Sequence, residues 1–345
     1  MQALVLRGPY DIEVSEIDEP TAGPGEVVID ILATGICGSD FHGYSGENGR
    51  RHPGQVMGHE TVGHIAELGT GVTGLAKGQL VTINPVLSCD ECDICRAGQE
   101  QNCPQRKVVG VAPEIVSTFA DRFVIRASNV VPLADDLDPE LGALVEPLSV
   151  GYHAARVGGA GESDRVLVIG GGPIGQACVL AAQRLGAIQV AVSDPVESRR
   201  ALCAGLGATV LDPTAGDLAV ATEQALGGKA TLVIDAVGVN ATVADALAAS
   251  GLGARIVLVG MGSPELTLSA YEISTAERQL LGSFTYTRQD FADTAAWVST
   301  NPPGLERLID GRVGWDGAAQ SFDELARGTS TASKILVFPR GVAAR

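Results

Sequence analysis

A doubly wound α/β domain set into a mostly β domain is the architecture that this 345-residue chain predicts, and three observations predict it. From Arg165 onward, short β-branched runs (RVLVI, IQVAV, ATVL, TLVIDAV, ARIVLV, RQLLGSF) recur roughly every 21 to 25 residues, the spacing of strand–helix units. The segments between them are rich in Ala and Leu, as in Ile174–Leu185 and Thr242–Ala249, and read as helices. The first 146 residues instead carry many short strands, frequent Gly and Pro, and two long loops at 43–58 and 88–107.

Strands that are apolar throughout and alternate with helices imply a parallel sheet covered on both faces. That domain is expected over 147–284. A helix at Gln289–Ser299 and a last strand at Lys334–Phe338 then rejoin the first domain, which makes it discontinuous (1–146 and 285–345). The cleft between two such domains is the expected place for an active site.

Hydrophobic residues make up 45% of the chain and charged residues 19%. No run of eighteen apolar residues occurs, so a globular protein without a transmembrane helix is expected. The N-terminal MQALVLRGPYDIEV alternates like a strand and lacks a signal-peptide pattern. A net charge of −17 argues against nucleic acid and anionic membranes as partners. Four of the seven cysteines fall within fifteen residues. In a chain of this length that clustering points to a metal site in a reducing, cytoplasmic compartment.

Those four, Cys89, Cys92, Cys95 and Cys103, stand as C-x2-C-x2-C-x7-C. Four thiolates at this spacing can close a tetrahedral zinc site with no open position, which makes the site structural. A pair of disulfides is disfavoured by the compartment. An iron–sulfur cluster shares the opening spacing but belongs with a different remainder of chain.

The run VLVIGGGPIG (166–175) places Gly170, Gly172 and Gly175 in a G-x-G-x-x-G pattern directly after a strand, with Pro173 and Ile174 opening a helix. The glycines allow a tight turn and close approach to a pyrophosphate, and the helix N-terminus offers its dipole and free N–H groups. Asp194 ends the next strand, where a carboxylate can accept hydrogen bonds from both adenosine ribose hydroxyls. This suits NAD and disfavours the 2′-phosphate of NADP, although Arg199 and Arg200 lie close by. Cys178 and Cys203 fall in helical stretches and read as core.

Three further segments matter in combination. GICGSDFH (35–42) supplies Cys37, GHE (58–60) supplies His59, and LVEPLSVGYH (144–153) supplies Glu146. Singly, each is an ordinary core cysteine, satisfied histidine or surface carboxylate. With the four-cysteine loop and the PGQVMGHETVGHIAELG stretch, they make the chain resemble the medium-chain zinc alcohol dehydrogenases from end to end, the polyol (sorbitol-type) branch best. The ethanol-type members have a second cysteine where this chain has Glu146.

The resemblance implies a GroES-like catalytic domain and a Rossmann cofactor domain. It implies two zinc ions, one structural and one catalytic, the latter held by Cys37, His59 and Glu146 with a fourth position open. One thiolate and one carboxylate would offset the metal's two charges, and the neutral site would still polarise a bound oxygen. Hydride would then pass from a secondary alcohol to NAD. Ser39 and His42 occupy the positions of a proton relay, Asp40 lies behind His59, and Glu60 stands where the family keeps an acid near zinc. Arg199 sits where NAD-using relatives place a basic residue against the ribose. A homotetramer is also implied, and the ARIVLV and RQLLGSF strands are candidates to continue the sheet across a two-fold axis. His52, His64 and His153 read as structural, and Phe41, Tyr44 and Phe119 as pocket-lining or packing residues.

The match departs at Phe284-Thr285-Tyr286, where sorbitol-type members carry Phe-Arg-Tyr with the arginine by a substrate hydroxyl. Sorbitol itself is therefore in doubt, and another secondary alcohol, diol or amino alcohol remains open. A dinucleotide-binding protein without turnover is the competing class, and the open zinc site argues against it. Both zinc sites argue against a zinc-free, quinone-type reductase.

Overall fold

The computed structural model describes residues 1–47, 49 and 51–342. It divides into two compact units, Met1–Glu146 with Thr287–Arg345, and Pro147–Tyr286.

The second unit is built on six parallel strands in the spatial order Thr209–Leu211, Gln189–Ser193, Arg165–Ile169, Ala230–Asp235, Ser250–Leu258 and Gln279–Gly282. The first strand in sequence lies in the middle, so the order reverses there, and ligands bind off the carboxyl ends of strands at such a point. The period-2 alternation of side chains explains why these strands are apolar throughout. Val166 and Val168 join one buried cluster with Val190, Val192, Leu232 and Ile234. Leu167 and Ile169 join a second cluster with Ala191, Val233 and Ile256. Helices cover both faces, and each fully buried Val, Leu or Ile contributes about 1.5–3 kcal/mol. The helix after the central strand runs Pro173–Arg184, with proline at its first turn.

Of the two strands expected to extend the sheet, Ser250–Leu258 is paired on both sides. Of these two, Gln279–Gly282 is the one at a sheet edge; Thr209–Leu211 forms the opposite edge. The unit ends at Tyr286, two residues beyond the expected Phe284.

The first unit holds a seven-stranded sheet. Along its main path run Gly311–Val313, Ile335–Val337, Glu26–Gly35, Glu60–Leu68, Leu80–Ile83 and Val130–Pro132, and Arg122–Arg126 pairs with Glu26–Gly35 as well. The last strand, Ile335–Val337, lies antiparallel to Glu26–Gly35, so the end of the chain returns to the β unit. The segment expected to be a loop at 88–107 contains a short helix, Asp93–Arg96, and a 3-10 turn, Glu100–Asn102. The loop expected from Gly43 starts inside a helix, Gly38–Tyr44. Tyr44 and Phe119 are core residues with edge-to-face contacts on Phe322, and Phe41 packs against the same cluster. Cys178 and Cys203 are fully buried.

Candidate active site

The Gly38–Tyr44 helix begins at Cys37, which stands in extended backbone as the N-cap. Asp40 at the third helical position reaches back, and its Oδ2 accepts the Cys37 N–H at 3.1 Å. This closes one half of a capping box and fixes the thiol at the mouth of the helix. The other carboxylate oxygen, Oδ1, lies 3.7 Å from His59 Nδ1, and both atoms are buried without a hydrogen-bond partner. His59 also makes a hydrogen bond with the Cys37 thiol. The next residue, Glu60, opens the Glu60–Leu68 strand opposite Gly35. A side chain at Gly35 would collide with the Glu60 carboxylate and press on Lys334, so glycine leaves room for that pair.

Donor atoms of Cys37, His59 and Glu60 lie within 4.8 Å of one another, near the separation that bonds of about 2.0–2.3 Å to one ion require. Glu146, in the first turn of the Val145–Val157 helix, is outside this tight set but close enough to act on it. Burial disfavours a charged His59, yet Asp40, Cys37 and Glu146 together hold its pKa well above the ordinary value. For Asp40 burial dominates and pushes the pKa up. Negative potential converging on a buried imidazole, with one sulfur, one nitrogen and carboxylate oxygens in reach, fits a divalent cation such as zinc.

A residue that the sequence reading missed completes this cluster. Lys334 is 4% exposed, is ion-paired with the 1% exposed Glu60, and its Nζ donates to the Ile36 carbonyl at 3.3 Å. Burial disfavours its charge, but Glu60, Cys37 and Glu146 outweigh that and raise its pKa. A lysine opening an apolar terminal strand was the only trace in sequence.

Ser39 and His42 lie on the same short helix. The guanidinium of Arg51 donates to the Ser39 carbonyl at 3.4 Å. His42 is about half exposed, and its Nδ1 contacts Glu47 Oε2 at 2.7 Å. His52 is exposed, His64 sits in the Glu60–Leu68 strand, and His153 is buried.

In the cysteine loop all four thiols are free and converge, with Sγ–Sγ distances of 3.4 Å (Cys92–Cys95), 3.5 Å (Cys89–Cys103) and 3.8 Å (Cys89–Cys95). Four sulfurs at about 2.3 Å around one tetrahedral ion would stand about 3.8 Å apart. Backbone N–H groups of Glu91 and Cys92 point at the Cys89 sulfur and bring its pKa down to about 6, which favours the thiolate a metal needs. Asp90, with φ 62°, turns the loop and pairs with Arg288 at 2.7 Å.

In the second unit the glycine loop is stitched to the neighbouring strand. Gly170 has φ 96° and donates to the Ser193 carbonyl at 2.7 Å. A side chain at Gly175 would strike the Gly170 carbonyl, whereas one at Gly172, the helix N-cap, would meet nothing within 4 Å. That open space beside the helix N-terminus, led by Pro173 and Ile174, fits a diphosphate. Asp194 is 3% exposed. Its Oδ2 accepts the Gly171 N–H at 2.8 Å, its Oδ1 accepts the Val196 N–H at 2.7 Å, and Arg199 lies 3.8 Å away. Thr285, at the expected arginine position, has φ 51° and a buried Oγ1 without a partner. Positive φ at a β-branched residue marks strain.

Comparison with known proteins agrees with this picture. Residues 23–135 match the alcohol dehydrogenase GroES-like domain, and residues 173–300 match the zinc-binding dehydrogenase domain. The chain is 34% identical to the L-idonate 5-dehydrogenase of Vitis vinifera, over 94% of this chain and 91% of that one. It is 32% identical to the sorbitol dehydrogenase of Arabidopsis thaliana, over 96% and 93%. A zinc-binding dehydrogenase of Sinorhizobium meliloti, solved with NADP bound, superposes with a TM-score of 0.90 at 29% identity, over 98% and 99% of the two chains. No helix of the described residues is long and apolar enough to cross a membrane. The chain belongs to the polyol dehydrogenase branch of the zinc-dependent alcohol dehydrogenases, and it is an oxidoreductase of secondary alcohols.

Proposed function

We propose that this chain oxidises one secondary hydroxyl of a polyol or sugar acid to a ketone, with NAD as hydride acceptor. The observation that carries the reading is the convergence of Cys37, His59 and two carboxylates in one unit, alongside a glycine loop in the other that fits a dinucleotide. Cys37, His59 and Glu146 would hold the catalytic metal, while Glu60 directs its charge to Lys334. When bound, zinc lowers the pKa of a substrate hydroxyl and so eases departure of hydride from its carbon. Ser39 and His42 carry the released proton outward, with Glu47 against the Nδ1 nitrogen of His42. Asp40 orients His59. Gly170, Gly172 and Gly175 admit the pyrophosphate at the helix N-terminus, and Asp194 with Arg199 receives the adenosine ribose.

The four thiols of Cys89, Cys92, Cys95 and Cys103 hold a second, structural zinc and require a reducing, cytoplasmic setting. Assembly as a homotetramer through the Gln279–Gly282 edge is part of the same reading. Thr285 in place of an arginine favours a substrate other than sorbitol. The test is NADH absorbance with the purified enzyme, NAD, and a panel of polyols, aldonates, diols and amino alcohols. Turnover of a polyol or aldonate is expected. NADH binding with no alcohol oxidised would favour the non-catalytic alternative.

A further inference from the structure

Two arginines of the Glu197–Gly205 helix face the strand end where the adenosine ribose is expected, and each is matched by a different carboxylate. Gln189–Ser193 and Thr209–Leu211 run parallel with Ser193 opposite Leu211, so Asp194 and Asp212 leave neighbouring strands side by side. Arg199 faces the carboxylate of Asp194 at 3.8 Å. Arg200, 17% exposed, donates to the backbone carbonyl of Asp194 at 2.7 Å and pairs with Asp212 Oδ2 at 2.9 Å. Asp212 is itself held in place, because its Oδ1 accepts the N–H and the hydroxyl of Thr214 at 2.9 and 2.6 Å. Those two bonds, with a smaller contribution from Arg200, keep its carboxyl below the ordinary range.

We propose that Asp212 is a specificity-determining residue for the dinucleotide: by engaging Arg200 it withholds from a 2′-phosphate the guanidinium nearest to the end of the second strand. The inference rests on the reading that the chain uses NAD. Asp194 alone presents a charge to the 2′-position, but a cation free to swing beside it would offset that charge. With Arg200 bridged between a carbonyl and a fixed carboxylate, a 2′-phosphate meets a guanidinium already engaged and a second negative group, which leaves only Arg199, already facing the Asp194 carboxylate, to offset them. Discrimination built from an unfavourable partner and an occupied favourable one needs no further contact with NAD.

The test titrates NADH and NADPH by fluorescence against the zinc-loaded full chain and reads the ratio of the two dissociation constants. Asp212→Asn keeps the oxygen that holds Thr214 and removes the charge that holds Arg200. It is expected to shift the ratio toward NADPH at least fivefold, with NADH affinity little changed, and Asp212→Ser serves as the second variant. Adding Arg200→Met to either should abolish the gain. A shift below fivefold in both variants of an NAD-preferring enzyme, or a gain that persists without Arg200, overturns the role of Asp212. A wild-type enzyme that binds NADPH more tightly than NADH overturns the NAD reading itself.

Discussion

The ammonium of Lys334 and the carboxylate of Glu60, 274 residues apart in sequence, form an ion pair in which both side chains are almost entirely removed from water. The pair joins the start of the last strand to the start of the strand that follows His59, beside the Cys37 thiol. Desolvation makes such a pair a poor general stabiliser, but removing one partner strands the other charge.

Lys334→Met is accordingly expected to cost about 3–5 kcal/mol. At about 2–4 °C per kcal/mol this lowers the melting temperature by roughly 6 to 20 °C. Glu60→Gln combined with Lys334→Met should recover much of the loss, because the stranded charge is gone. Additive single effects in a double-mutant cycle would show that the two residues are not coupled.

Cys92→Ser is expected to empty the four-thiol site and destabilise the unit that holds it. Structural zinc can contribute about 10–16 kcal/mol of folding free energy in small domains. Low soluble yield with loss of one zinc per chain is the predicted outcome. A variant that melts with the wild type would remove the structural role.

Asp194 should set a kcat/KM preference for NAD over NADP of at least about a hundredfold, which needs only about 2.7 kcal/mol. Because its two oxygens also hold the Gly171 and Val196 N–H groups, Asp194→Ser is expected to weaken both cofactors while narrowing the gap between them. Equal use of NAD and NADP by the wild type would refute the assignment.

Much of this was legible in the chain because it depends on local pattern. The β-branched runs became the six parallel strands, the central ones buried on both faces, and the C-x2-C-x2-C-x7-C spacing folded into converging thiols. Cys37 and Asp40 lie three residues apart, within the reach of one capping box. What stayed hidden depends on long-range pairing. Lys334 has no local partner that marks it, and its role appears only when the last strand docks beside Ile36. Glu60 and Glu146 look alike as residues near a metal until Lys334 matches the charge of Glu60. Likewise Asp212 reads as a turn residue with Thr214, and Arg200 reaches it only because two strands lie parallel.

The most direct test of the metal assignment is the zinc content, by elemental analysis, of the wild type, Glu146→Ala and Glu60→Gln purified without chelator. Two zinc ions per chain are expected in the wild type, one in Glu146→Ala, and two in Glu60→Gln, with NADH binding nearly intact in all three. Full retention of two ions by Glu146→Ala, or a wild type holding one or none, would contradict the assignment of Cys37, His59 and Glu146 as the catalytic ligands.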